Sequence, residues 1–230
     1  MLYSLSHARF RASLESLDIL ERPLYVDLTR IAGLKREMPR PREFDELAAL
    51  EAAIDCFWKR GFEATSVRDL ADAMGISAPS LYNAYGDKRA LFAQALDRYL
   101  DHSTRARIKR LEGSLPPKQA VCRFIEEIIE RSVNDRERRG CFLINSALEV
   151  APHDKELGAV IADRLGEIEQ FFRRSIRAAQ AEGTVPQDLV AKDLARLLLA
   201  VLLGIRVLAR AKPERSLLEG LARPALALLG

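Results

Sequence analysis

Between Thr65 and Lys88 the chain reads TSVRDLADAMGISAPSLYNAYGDK, and no other stretch restricts the fold as strongly. Ser66 followed by Asp69 is a capping-box start, and Val67, Leu70 and Ala71 give that short helix an apolar face. Gly75 ends it in the position glycine favours, and Ile76 supplies an apolar plug. Ser77 caps a second short helix. Pro79 is tolerated there because first-turn amides have no intrahelical partner. Gly86 closes that helix and Asp87 caps a longer one, with Leu91, Phe92, Ala95, Leu96 and Tyr99 inward. Two short capped helices around a glycine corner are the makings of a helix-turn-helix. In such a unit the second helix projects, so its outer face must be small and polar, as Ser77, Ala78, Ser80 and Asn83 are. Leu81 would anchor it, while the hydroxyls of Tyr82 and Tyr85 reach for phosphate. Lys88 sits in the next helix's first turn, where free amides also favour an anion.

The remainder extends the helical pattern. Leu47, Leu50, Ile54, Phe57 and Trp58 recur on one face ahead of Gly61. After Pro116-Pro117 come helical stretches over 117–133, 140–150, 154–182 and 188–211, and a last one that Pro213 opens, carrying Leu217, Leu218, Leu221, Leu226 and Leu229. No period-two alternation marks a strand, and no repeat has a solenoid period. The expected fold is all-α: a helix-turn-helix domain at 44–92 and a helical ligand-binding and dimerisation domain at 93–230. Residues 1–43 read as a separate N-terminal extension. Within it, positions 35–42 carry four basic residues and two prolines. This is a solvated linker or a basic arm on DNA, unless the biological start is Met38.

Composition excludes several classes. An apolar fraction of 48% is too high for a disordered chain. Cys56, Cys122 and Cys141 are odd in number, widely spaced and without a C-x-x-C pair, so no disulfide framework is expected. The most apolar run, Leu197–Ile205, lies between Arg196 and Arg206 and falls short of the roughly 20 residues of a membrane span. The start has no uninterrupted apolar signal-peptide core, so a cytoplasmic protein with no membrane partner is expected. His7, His102 and His153 are scattered. No H-E-x-x-H, G-x-S-x-G or phosphate loop appears, so neither an enzyme, a metal site nor a cofactor is expected.

Gly61-Phe62, Thr65-Ser66, Leu70-Ala71, Gly75-Ile76-Ser77, Leu81-Tyr82, Tyr85 and Lys88 together resemble the TetR family of bacterial transcriptional regulators. Ala78-Pro79-Ser80 departs from the Lys-Gly-Thr of many members, which removes one phosphate-contacting lysine. The resemblance implies that Thr65, Ser66 and Arg68 reach phosphate. It implies that Ser77, Ala78, Pro79, Ser80 and Asn83 face bases, and that Tyr82, Tyr85 and Lys88 hold the DNA backbone, while Tyr82 and Tyr85 read also as core aromatics. Between Phe44 and Phe92 there are five basic against eight acidic side chains. Affinity must therefore come from local placement, with a modest salt dependence.

One recognition helix reads too few base pairs to single out a site, so a homodimer on a palindromic double-stranded DNA operator is expected. Leu194, Leu198, Val201, Leu202, Ile205, Leu208 and Leu221 are its candidate interface; the other reading is a helix buried within one subunit. The resemblance implies a four-helix bundle made by the last two helices and their twins, and a small-molecule effector that releases DNA. Phe124, Phe142, Phe171 and Phe172, with Asn145, Gln170 or His153, are candidates for its pocket and read equally as ordinary core or surface. Cys141 follows Arg138-Arg139 and reads either as a reactive thiol of an electrophile or redox sensor, or as a buried inert cysteine. The helix from Asp87 is expected to be the lever, as the sole link between the domains. A ligand-independent architectural DNA-binding protein is the other class left open.

Overall fold

The computed structural model describes residues 45–230; the basic stretch at 35–42 and the alternative start at Met38 lie outside them. The described residues form helices α1 (Glu46–Arg60), α2 (Val67–Met74), α3 (Ala78–Tyr85), α4 (Lys88–Leu100), α5 (Ala106–Ser114), α6 (Pro117–Val133), α7 (Phe142–Glu149), α8 (Lys155–Ala181), α9 (Ala191–Ala211) and α10 (Arg215–Ala227). No strand occurs among them, and no helix is long and apolar enough to cross a membrane.

Helix α1 starts where the Asp45 carboxylate accepts from the amides of Leu47 and Ala48 at 2.9 and 3.2 Å. It ends at Gly61, whose φ of 81° suits glycine alone. Its buried stripe centres on Ala53 and Phe57. Leu47, expected on that stripe, is exposed, because it lies about a third of a turn around the helix from Ala53.

The long helix expected from Asp87 is interrupted. Between α4 and α5 the turn widens into a π-helical segment, Asp101–Arg105. The Ser103 hydroxyl donates to the Tyr99 carbonyl at 2.6 Å there, and both Ser103 and Thr104 are turned inward. Such widened turns often occur at functional sites.

Helix α9 packs against α6, α8 and α10. This corrects part of the expected dimer interface. Leu194, Leu198, Leu202 and Ile205 are buried within the subunit, whereas Val201, Leu208 and Leu221 stay at least partly exposed. A helix apolar on most of its circumference serves two neighbours at once, and its sequence does not say which side faces which.

The helix-turn-helix end is tied to the rest by more than α4, contrary to expectation. Phe92 sits edge-on to Phe57 at 5.1 Å and to Phe142 of α7 at 5.4 Å, geometry that aromatic quadrupoles favour. The Trp58 indole N–H donates to the Arg139 carbonyl at 3.2 Å. The Arg139 guanidinium lies 4.6 Å over the same indole and donates to Asp55 at 3.0 Å. At the start of α4, Arg89 Nε donates at 2.7 Å to Asp154, which also caps α8.

Candidate nucleic-acid interface and interior cavity

Local chemistry sets the corner. The Ser66 hydroxyl accepts from the Asp69 amide at 3.1 Å, and Asp69 accepts from the Ser66 amide at 2.9 Å, which completes the capping box. Arg60 adds a 2.6 Å contact to the same carboxylate. The hydrogen bonds from Ser66, supported by Arg60, hold the Asp69 carboxyl down to about 2. Gly75 takes φ 67° in the left-handed region and lets the chain reverse. Ile76 then donates to the Ala71 carbonyl at 3.0 Å. Ser77 caps α3 by accepting from the Ser80 amide at 3.2 Å, and Pro79 lies in the first turn.

The two faces of α3 separate cleanly. Leu81 is fully buried, while Ser77, Pro79, Tyr82 and Asn83 are exposed, with Tyr82 at 50%. Ala78 and Ser80 are half-buried at the edges of that surface. Ser66 and Arg68 are exposed one helix earlier, Arg68 lying 3.9 Å from Asp72. Lys88 is half-buried, its ammonium 4.3 Å from the centre of the Phe62 ring.

Two assigned residues are turned inward. Thr65 is fully buried and its hydroxyl donates to the Gly61 carbonyl at 2.6 Å, so it braces the α1–α2 loop. Tyr85 is also buried, and its hydroxyl donates to the Glu46 carbonyl at 3.3 Å. A tyrosine on the inner side of a helix this short is drawn into the core by its ring. Both corrections remove a phosphate contact from the expected set.

Residues 49–95 match the family profile of bacterial regulatory proteins of the tetR family, and residues 117–223 match that of tetracyclin repressor-like C-terminal domains. The HTH-type transcriptional regulator YezE of Bacillus subtilis (strain 168) is 32% identical over 183 residues, 79% of this chain and 94% of that protein. The chain belongs to the TetR family. The HTH-type transcriptional repressor ComR of Escherichia coli (strain K12) is 31% identical over 77% of this chain and 85% of its own length. A cysteine mutant of the TetR-family regulator CifR, solved with a 26-base-pair double-strand operator DNA, superposes with TM-score 0.74 at 34% identity. That match covers 83% of this chain and 100% of CifR. These relatives are regulators of transcription, not enzymes.

In this TetR-family regulator a small cavity lies inside the C-terminal half. The cavity, of about 20 Å³, is lined by Tyr99, Ser103, Thr104, Arg107, Phe124, Cys141, Arg206 and neighbours from α6, α7, α8 and α9. That volume is about one water molecule's worth. Of the residues expected in a pocket, only Phe124 and Cys141 line this one. Phe172 is sealed in a cluster with Phe124 and Phe171. Phe142 faces the aromatic seam with Trp58, Phe92 and Tyr99. Asn145 donates to the Arg139 carbonyl at 2.8 Å and accepts from Arg210 at 3.3 Å, so it braces a loop. His153 and Gln170 line no part of the cavity.

The Arg138-Arg139 pair is engaged elsewhere. Arg139 reaches Asp55, Glu137 and Trp58, and Arg138 reaches the Ala211 carbonyl at 3.4 Å. The group facing the Cys141 sulfur is the Tyr99 hydroxyl, which donates to it at 3.6 Å. Burial pushes the Tyr99 hydroxyl well above the ordinary tyrosine range, so it stays protonated and remains a donor. Sequence reasoning missed Arg206 as a lining residue. It lies in the apolar repeat of α9, where only a buried arginine interrupting leucines could have signalled it.

Proposed function

We propose that the protein is an operator-binding repressor that works as a homodimer in the cytoplasm and is released by a small molecule. The observation that carries this is the outward face of α3, where Ser77, Pro79, Tyr82 and Asn83 stand exposed on a helix anchored by Leu81. A helix end of this size enters a major groove, and short polar side chains approach base edges there. Ala78 and Pro79 suit a thymine methyl; Ser66, Arg68, Tyr82 and Lys88 suit phosphates. Footprinting the full chain on the DNA flanking its own gene tests this. A protected palindrome with half-sites about one helical turn or more apart is the expected result. No protection on any duplex defeats the reading.

The second copy is expected on the stripe of α9 that the subunit leaves uncovered. Leu197, Val207 and Leu208 are 40, 41 and 39% exposed, and Val201 and Gly204 lie between them. Leu221, Pro224 and Leu228 continue the surface on α10 and beyond it. Leu197→Glu combined with Leu208→Glu should give a monomer by light scattering, with operator affinity lost.

A second reading is favoured by the Tyr99–Cys141 contact. An electrophilic alkene would take the Cys141 sulfur in a new C–S bond and the thiol proton on its other carbon, and the bulk added to a cavity this small would force its walls apart. Treatment with N-ethylmaleimide should release operator from the full chain but not from Cys141→Ser.

A further inference from the structure

The cavity wall contains three arginines, Arg107, Arg131 and Arg206, and no acidic residue. Arg206 is 4% exposed and donates to the Ser132 hydroxyl at 2.9 Å and to the Gly140 carbonyl. Neither acceptor carries a charge, and among the described residues no carboxylate pairs with Arg206 or Arg131. Arg107 reaches Glu127 at 3.1 Å, but Arg110 and Arg123 share that carboxylate at 2.6 and 3.3 Å. Burial first, and then the charge of Arg131, lower the Arg107 guanidinium's affinity for its proton. Arg131 is exposed, but Arg206 is a buried cation without a counter-charge, which is costly, so this end of the cavity is short of negative charge. Apart from Tyr99, Ser103, Thr104 and Cys141, the rest of the wall, including Phe124, Ile144, Ile168 and Leu202, is apolar.

We propose that the effector is an organic anion, a carboxylate on an apolar body, whose head pairs with Arg206 and Arg131 while its body displaces the apolar wall. This rests on the release by a small molecule proposed above, and adds its site and its chemical class. The charge-assisted pair is the kind that guanidinium and carboxylate make best. Because the cavity closes to about 20 Å³, such a ligand must spread its walls. One wall is the start of α7, and Arg139 just ahead of it holds Trp58 and Asp55 of α1. Binding at Arg206 therefore strains the segment that docks the helix-turn-helix unit, since Arg206 grips the Gly140 carbonyl in that same segment.

The chain has one tryptophan, Trp58, and its ring touches Tyr99, Phe142 and Arg139. Its fluorescence is the readout. Benzoate and hexanoate, each against its amide, are titrated into the full chain, first alone and then with operator bound. The acids are expected to shift Trp58 emission and bind about tenfold or more tighter than the amides. Arg206→Gln should lower acid affinity about tenfold or more, and the exposed Arg131→Gln several-fold, at unchanged helical circular dichroism for the latter. Amides that bind as well as acids overturn the proposal. So does a full set of probes that fails to bind, or acid binding indifferent to Arg131→Gln. Operator binding by the ligand-free chain is measured first. A chain that binds operator but does not distinguish acids from amides defeats this inference alone, whereas a chain that binds no duplex defeats the function proposed above.

Discussion

The outer face of α3 and the interior cavity are opposites in charge and in construction. From Ser77 to Gly86 the recognition helix and its caps bear no formal charge, yet the cavity wall holds three arginines. The α3 surface is organised by contacts between residues close in sequence: Ser66 with Asp69, Gly75 with Ala71, Ser77 with Ser80. The cavity draws on α4, the π segment, α5, α6, α7, α8 and α9. A surface for reading DNA needs hydroxyls and small groups at fixed positions, which local caps provide. A charged interior chamber needs elements brought together from far apart. The aromatic seam of Phe57, Phe92, Phe142, Trp58 and Tyr99 joins α1 and α4 of the helix-turn-helix end to α7 beside the cavity.

The largest expected effect strikes that seam. Phe92→Ala removes a ring packed against both Phe57 and Phe142 and should cost about 3–5 kcal/mol in urea unfolding. If operator binding survived that substitution with normal affinity, the two regions would be independent and the seam only scaffold.

Two glycines separate local from tertiary control. Gly140 has φ 74°, and a Cβ there would come within 2.8 Å of Arg210 Cδ. Gly75 has φ 67° with nothing within 4 Å of a Cβ. Gly75→Ala should cost about 1–2 kcal/mol from backbone strain alone. Gly140→Ala should cost about 1–3 kcal/mol more, because Arg210 must give up its place beside Asn145. Equal losses in thermal unfolding would mean that neighbours contribute nothing at Gly140.

Trp58→Phe keeps an aromatic face but loses one of the indole's two rings and the bond to the Arg139 carbonyl, at about 1–3 kcal/mol. Its sharper consequence is for coupling: effector should still bind, while its effect on operator affinity weakens. Tyr82→Phe should leave the melting temperature unchanged, since the side chain is half exposed, and reduce operator affinity about three- to tenfold.

The smallest effect is the pH response of the α2 cap. Asp69 is held down to about 2 from an ordinary 3.8, so its contribution to stability is fully present above the ordinary value. It is lost as pH falls through about 2, when the carboxylate takes up its proton. Asp69→Asn should flatten that acid limb in a melting-temperature profile, and an unchanged profile would show the cap to be energetically silent.

The helix-turn-helix was legible from residue to residue. The capping box at Ser66 and Asp69, the corner at Gly75 and the cap at Ser77 all stand where the sequence put them. Thr65 reads as a phosphate contact and Tyr85 as either that or core, because a hydroxyl advertises the same chemistry whether it meets phosphate or a backbone carbonyl. The direction was decided by Gly61 and Glu46, which offer those carbonyls. The α9 leucines read as covered either by a partner copy or by their own subunit, because periodicity shows that a face is apolar but not what covers it.

The order of short capped helices, the all-helical character and the anchored reading helix were therefore determined by the sequence alone, because caps and glycine corners act over a few residues. Which side of α9 is covered, where the wall of the cavity runs, and that Arg206 sits inside it without a carboxylate were decided only by the tertiary structure. Those properties depend on which distant segments meet, and burial creates both the space and the unbalanced charge.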